Sequence, residues 1–294
     1  MKAVKVFMPP ARDKLQRGEG LDFSFDYANR RFRGHAYLAQ GKLALAIRLV
    51  PEKAPTLAAI GAPQALTRLT QAKSGLLLVA GRTGSGKTTT MLSFIEAALQ
   101  AIPRHALTLE DPIEYVLADA RSFISQRELG RDFRSFAEGL RNALRASPDL
   151  VLVGELREEK TARVALQAAE AGCLVLAGIH AKDAKEAALR LDSLFDGTAR
   201  EEARLSLSLT LLGIFAQRLL PRRGGGRVAA IEAMVRSPAC QNLIRQGKHW
   251  QLESAMLAGK ALGMRTMAEA IDALYYANKI EKHTWEIAKT DTTG

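Results

Sequence analysis

Two patterns in the sequence predict an α/β fold: a parallel sheet preceded by a smaller β-rich unit. From residue 75 onward, short unbroken apolar runs alternate with segments of helical spacing. Strands covered on both faces by crossover helices read this way. Residues 21–51, "LDFSFDYANRRFRGHAYLAQGKLALAIRLVP", instead alternate apolar and polar positions, break at "ANR" and "QGK", and stop at Pro51. That is the pattern of a small antiparallel sheet. The expected division is a short N-terminal domain over 1–50, a linker over 51–74, an α/β core over 75–195 and a mostly helical part over 196–294. The linker opens with "PEKAPTLAAIGAPQ", which carries three prolines.

Within the core, "GLLLVA" (75–80) reads as a buried strand, and a helix follows toward residue 100. "HALTLE" (105–110) is a second strand, "SFAEGLRNALRA" (135–146) a helix, "DLVLVGE" (149–155) a third strand. A helix through "EKTARVALQAAEAG" leads into the strand "CLVLAGIH" (173–180). This succession implies a RecA-like α/β core. Beyond residue 183 one strand is expected, "RVAAIEAMV" (227–235), after the turn "RRGGG".

Composition bounds the function. At 47% hydrophobic and 25% charged, the chain reads as a folded globular protein. Lys and Arg number 42 against 31 Asp and Glu, a net charge of +11, which calls for an acidic partner or for neighbouring groups that absorb the charge. No run of five like charges occurs and no aromatics interleave with the bases, which speaks against a nucleic-acid partner. Cys173 and Cys240 stand far apart and form neither a disulfide framework nor a zinc module. The opening "MKAVKVFMPPARDK" lacks a signal-peptide core, broken as it is by Lys5, and the apolar stretch "LSLSLTLLGIFAQ" (205–217) is shorter than the roughly 20 residues of a membrane span. A cytoplasmic location is expected.

The chemistry centres on "GRTGSGKT" (81–88), a full GxxxxGK[ST] match between a strand and a helix. Gly81, Gly84 and Gly86 allow the backbone N–H groups, with Thr83, Ser85 and Thr89 alongside, to wrap phosphate oxygens. Lys87 supplies a cation for the β- and γ-phosphates and Thr88 a hydroxyl for Mg²⁺, so ATP and Mg²⁺ are the expected ligands. Glu155 ends an apolar strand where sheet ligands bind, placed to orient or activate the attacking water. In "TLEDPIEY" (108–115) Glu110, Asp111 and Glu114 crowd within five positions; such crowding asks for a cation, and Mg²⁺ held through water is one answer, a solvated acidic turn the other. His180 ends a strand and could sense the γ-phosphate, or be an ordinary histidine. Arg33 and Arg48 on the N-terminal strands, and Arg127, Arg141 and Arg145 in the core, are candidates to reach a γ-phosphate when another surface docks, or else surface ion pairs.

The order GRTGSGKT, TLEDPIEY, DLVLVGELRE, CLVLAGIHAKDA resembles the Walker A, acidic, Walker B and histidine boxes of the secretion ATPase superfamily. "QRELGRDFRSFAEGLRNALRASPD", "RLLPRRGGGRVAAIEAMV", "PACQNLIRQGK" and "ALGMRTMAEAI" look most like PilT-type type IV pilus retraction ATPases, and the resemblance runs from about Arg31 to residue 290. It implies a homo-hexamer whose N-terminal, PAS-like domains pack on neighbouring cores and which pulls on an inner-membrane pilus platform protein. It also implies Glu155 as catalytic glutamate, Glu114 as a member of the acidic box, His180 at the γ-phosphate, and Arg33 and Arg48 completing a site, in trans if the domains pack as described. The chain departs from the family in a shorter N-terminal domain, in Cys173 where the histidine box opens with a second histidine, and in "IHAKD" after it. These departures leave room for an accessory or weakly active ring subunit, working beside a second retraction-type ATPase. A superfamily motor for secretion or plasmid conjugation pili is the further alternative, and a nucleic-acid translocase would declare itself by DNA-stimulated hydrolysis.

Overall fold

The apolar runs sort their side chains onto two faces of one sheet. Leu76, Leu78, Val151, Val153, Val175 and Ala177 point into one hydrophobic cluster, while Leu77, Val79, Leu150, Leu152, Leu174 and Leu176 point into the other. Side chains of a strand alternate faces, so a run apolar at every position needs a core on both sides. The computed structural model describes residues 15, 17–28, 30–50, 53–117 and 122–293; the reading of the first fourteen residues lies outside these.

The N-terminal unit is a three-stranded antiparallel sheet in the order β1 (Leu21–Tyr27), β2 (Arg30–Ala39), β3 (Lys42–Leu49). After the linker and its short helix α1 (Gln64–Arg68) come β4 (Gly75–Ala80), α2 (Lys87–Ala101), β5 (His105–Glu110), β6 (Phe123–Glu128), α3 (Phe136–Leu144), β7 (Leu150–Val153), α4 (Glu159–Glu170) and β8 (Leu174–Ile179). The chain continues through α5 (Ala184–Ser193), α6 (Gly197–Thr210), β9 (Leu211–Pro221), β10 (Arg227–Val235), α7 (Pro238–Arg245), α8 (Leu252–Ala258), α9 (Met267–Tyr276) and α10 (Lys282–Thr293). The seven-stranded sheet has the order β10-β9-β4-β8-β7-β5-β6. All its neighbours are parallel except the β9–β10 hairpin, which forms an antiparallel edge. α2 covers one face through Met91, Leu92, Phe94, Ile95 and Ala98, and α3 and α4 cover the other through Leu140, Ala162, Ala165 and Ala169. The RecA-like core and its N-terminal β domain are as the sequence predicts.

Three elements differ from the expectation. β6 adds a parallel strand after β5 that the sequence reading leaves out. The apolar run 205–217 is divided, with α6 ending at Thr210 and β9 beginning at Leu211. A continuous apolar run does not distinguish helix from strand; here the parallel pairing of β9 with β4 decides it. Finally, β7 stops at Val153, so Glu155 stands in the loop beyond the strand rather than on it.

Candidate nucleotide-binding and hydrolysis site

The four central strands β4, β8, β7 and β5 run parallel, so their C-terminal ends share one edge, the place where open α/β sheets bind ligands. The glycine-rich loop 81–86 leaves β4 at this edge and enters α2 at Lys87. Gly84 and Gly86 take left-handed backbone angles, φ 77° and 88°, which a Cβ would resist. Gly86 is the N-cap of α2 with no side chain capping it, so the first N–H groups of this 15-residue helix are open to an anion. A Cβ on Gly84 would meet nothing within 4 Å. Lys87 folds back over the loop, its Nζ donating to the carbonyls of Gly81 (2.7 Å) and Arg82 (3.2 Å). Burial pulls its pKa below the ordinary lysine value, against the nearby Glu155 carboxylate, which raises it. Thr83 is exposed, Thr88 and Thr89 are half-buried, and the buried Ser85 hydroxyl has no hydrogen-bond partner among the described residues. Donors and cation thus ring a loop that can hold a polyphosphate.

The carboxylates gather at the neighbouring strand ends. Glu110, the last residue of β5, is buried, and its Oε1 accepts hydrogen bonds from Thr108 (2.6 Å) and Gln126 (3.0 Å). Burial raises its pKa. Asp111 follows it, exposed, within electrostatic reach of Asp22, Arg157 and Arg33. Glu155, two residues past β7, accepts a hydrogen bond from Arg157 at 2.8 Å, and this pairing raises the arginine's pKa. Electrostatic reach from Lys87 to Glu155, on to Arg157 and then to Asp111 makes these groups one cluster. His180 comes directly after β8, in register beside the start of the phosphate loop: Gly81 N–H donates to the Ile179 carbonyl. It is exposed and has no hydrogen bond among the described residues, so its ring is open to a ligand.

The two N-terminal arginines behave differently. Arg33 and Arg48 face each other across β2 and β3. Arg33 donates to Glu114 of its own chain at 3.3 Å, which ties the N-terminal sheet to the acidic segment. Arg48 is exposed and has no ion-pair partner among the described residues. Like charges directly opposite repel, and Glu114 offsets that only on the Arg33 side. Of the remaining candidates, Arg127 donates to the Asp132 carbonyl and lies over the Phe133 ring, while Arg141 and Arg145 are exposed on and just after α3. Among the described residues, none of these three touches the phosphate loop.

Some participants were missed by sequence reasoning. Glu128, at the end of β6, is buried and its Oε2 accepts from the Ser24 hydroxyl (2.8 Å) and the Ile113 N–H (3.2 Å), with Arg31 at 3.5 Å. It therefore joins the N-terminal sheet, the acidic segment and β6. Gln217 on β9 touches the phosphate loop itself. Its signal was available, a polar residue inside the apolar run "GIFAQRLL". A cavity of about 370 Å³ opens beside Thr83–Ser85 and is lined further by Lys182, Arg218, Leu219 and Met267. Cys173, by contrast, sits just before β8, at the opposite end from His180, buried, with its thiol pushed up to about 12 by burial. The strand of six residues between them separates the two by about 20 Å, so Cys173 does not touch the site.

A RecA-like sheet with a phosphate loop, a glutamate just beyond a central strand and a cluster of acids at one edge defines a P-loop ATPase. The chain belongs to the family described as Type II/IV secretion system protein, which matches residues 38–272. Within it the chain is of the PilT type, an ATP-hydrolysing P-loop enzyme. It is 42% identical over 257 residues to the uncharacterized protein YggR of Escherichia coli, covering 87% of this chain and 78% of that one. It is 39% identical over 254 residues to the type IV pilus retraction ATPase PilT of Pseudomonas aeruginosa, covering 86% and 74%. Its fold matches the crystal structure of the pilus retraction motor PilT with bound ADP at a TM-score of 0.88, with 39% identity, covering 97% of this chain and 82% of that one. No helix among the described residues is long and apolar enough to cross a membrane.

Proposed function

We propose that the chain is one protomer of a hexameric motor that turns ATP hydrolysis into retraction or disassembly of a pilus through an inner-membrane platform protein. What supports this reading above all is the cluster at the sheet edge: Lys87 folds over the phosphate loop within the field of the Glu155 carboxylate, and the acidic segment beside them is gripped by Arg33 of the N-terminal sheet. In this reading the backbone of Gly81–Gly86 and the Lys87 ammonium hold the phosphates, and the nucleoside lies toward the cavity beside Thr83–Ser85. Mg²⁺, when bound, would neutralise charge developing on the β- and γ-phosphates, held by Thr88 with Glu110 and Asp111 acting through water. Glu155 leaves Arg157 to orient the attacking water, and His180 reads the presence of the γ-phosphate. Release of phosphate then frees the N-terminal sheet to move with its arginines.

Arg48, exposed and unpaired among the described residues, is suited to complete the site of a neighbouring protomer. The test is subunit mixing. Lys87→Ala and Arg48→Ala proteins, each inactive, should regain ATPase activity when mixed, because some sites then combine an intact Lys87 with an intact Arg48. No recovery from a confirmed mixed ring would mean that Arg48 serves only its own chain.

A second reading, an accessory ring subunit with little turnover of its own, is favoured by the 2.8 Å pairing of Glu155 with Arg157. Cys173 lends it no support, being remote from the phosphates.

A further inference from the structure

We infer that Gln217 is a positioning residue of the nucleotide site, the brace by which strand β9 holds the phosphate loop in its binding conformation. The inference rests on the reading of 81–88 as the ATP site. Gln217 is only 3% exposed, at the end of the apolar run Leu211–Ala216 of β9. A buried amide is costly unless both its ends are bonded, and here both are. Its Nε2 donates to the Ser85 carbonyl at 2.7 Å, and its Oε1 accepts from the Thr90 hydroxyl at 2.6 Å. One side chain thus fixes the crest of the loop and the first turn of α2, the two segments whose N–H groups must converge on phosphate.

The glycines carry the same message. A Cβ on Gly86 would come within 2.7 Å of Gln217 Nε2, and one on Gly81 would overlap the Ser85 hydroxyl and come within 2.8 Å of the Gln217 carbonyl. Gly84, at the open crest, would meet nothing. Gly86 therefore makes room for the Gln217 side chain, Gly81 for both the Ser85 side chain and the β9 backbone, while Gly84 serves the turn alone. Only a residue that both donates and accepts at this reach fits. The next residues of the strand, Arg218 and Leu219, line the cavity beside the loop, so the state of that cavity and the shape of the loop are linked through one strand.

The brace acts by pre-organisation. Without it the loop spends less time in its binding form, and apparent affinity falls in proportion to the competent fraction. Losing a buried hydrogen bond of this kind corresponds to about tenfold. The experiment is titration of the full-length chain with a fluorescent ADP analogue, together with steady-state ATPase kinetics and melting without nucleotide. Gln217→Leu should raise the dissociation constant and KM about tenfold, with kcat at saturating ATP within about twofold, because bound nucleotide restores the loop. Thr90→Val, which frees the amide from its anchor without touching the loop, should shift affinity the same way by about threefold; it carries the test if Gln217→Leu does not fold. A folded variant that binds the analogue as tightly as the unmodified chain overturns the inference, and so does a loss confined to kcat. Lys87→Ala separates the two claims: if it binds as well as the unmodified chain, the site reading itself fails, whatever Gln217 does.

Discussion

The sheet edge at β4 and β9 and the N-terminal sheet at β3 are built on opposite terms. At the first, every residue of β4 is buried, and the neighbouring strand presses close enough to require two glycines. At the second, Leu43, Leu45, Ile47 and Leu49 of β3 are 43–53% exposed, and the sheet is tied to the core by the polar contacts of Arg31, Ser24 and Arg33 with Glu128, Ile113 and Glu114. The phosphate loop is held by packing and direction-specific hydrogen bonds, the N-terminal sheet by a few polar contacts, of which the part-exposed Arg33–Glu114 pair is the one that water and salt can loosen. A motor needs both, a rigid cradle and a unit whose position can change.

The comparison can be sharpened by substitution. Glu155→Ala should cost the largest amount, lowering kcat about thousandfold, while melting stays near that of the unmodified chain because its hydrogen-bond partner, Arg157, is exposed. Phe94→Ala, removing a fully buried ring beneath α2, should destabilise the core by about 3–5 kcal/mol. Ile47→Ala on β3 should cost less than about 0.5 kcal/mol in the monomer by chemical denaturation; equal effects would break the contrast. Glu128→Ala leaves the Ser24 hydroxyl and Ile113 N–H without their acceptor, worth about 1–3 kcal/mol. The loss should appear as faster amide exchange in β1 and β2, with β4 and β8 unchanged.

The smallest effect is a pH slope. Glu232 on β10 is buried, accepts hydrogen bonds from Ala184 N–H (2.6 Å) and Met267 N–H (2.9 Å), and has its pKa pushed up to about 7, mainly by burial. The native chain keeps this proton where the unfolded chain, near 4.5, has lost it. Its contribution to stability is therefore present below about pH 4.5, falls as pH rises to about 7, and is level above. Glu232→Gln should flatten that part of the stability profile; an unchanged slope would assign it to other groups.

What the sequence made legible follows the same division. The buried strands, the phosphate loop and the acid-rich strand ends were readable because two-sided burial writes continuous apolar runs and phosphate binding needs glycines at fixed spacing. β9 was not, since apolar residues continue across the end of α6 and only pairing with β4 separates helix from strand. The partners Gln217 and Glu128 lie 132 positions from Ser85 and 104 from Ser24, and no local pattern reports contacts made across the fold. Arg33 and Arg48 were visible as a pair fifteen residues apart in sequence. That they stand opposite each other, with Glu114 bonded to Arg33, needed the β2–β3 register.

The central claim is that this chain hydrolyses ATP with Lys87 holding the phosphates. Steady-state phosphate release by the purified full-length chain, beside Lys87→Ala at equal concentration and Mg²⁺, tests it most directly. The account predicts clear turnover by the unmodified chain and a loss of at least about a hundredfold in the variant. Equal rates from the two proteins would contradict it.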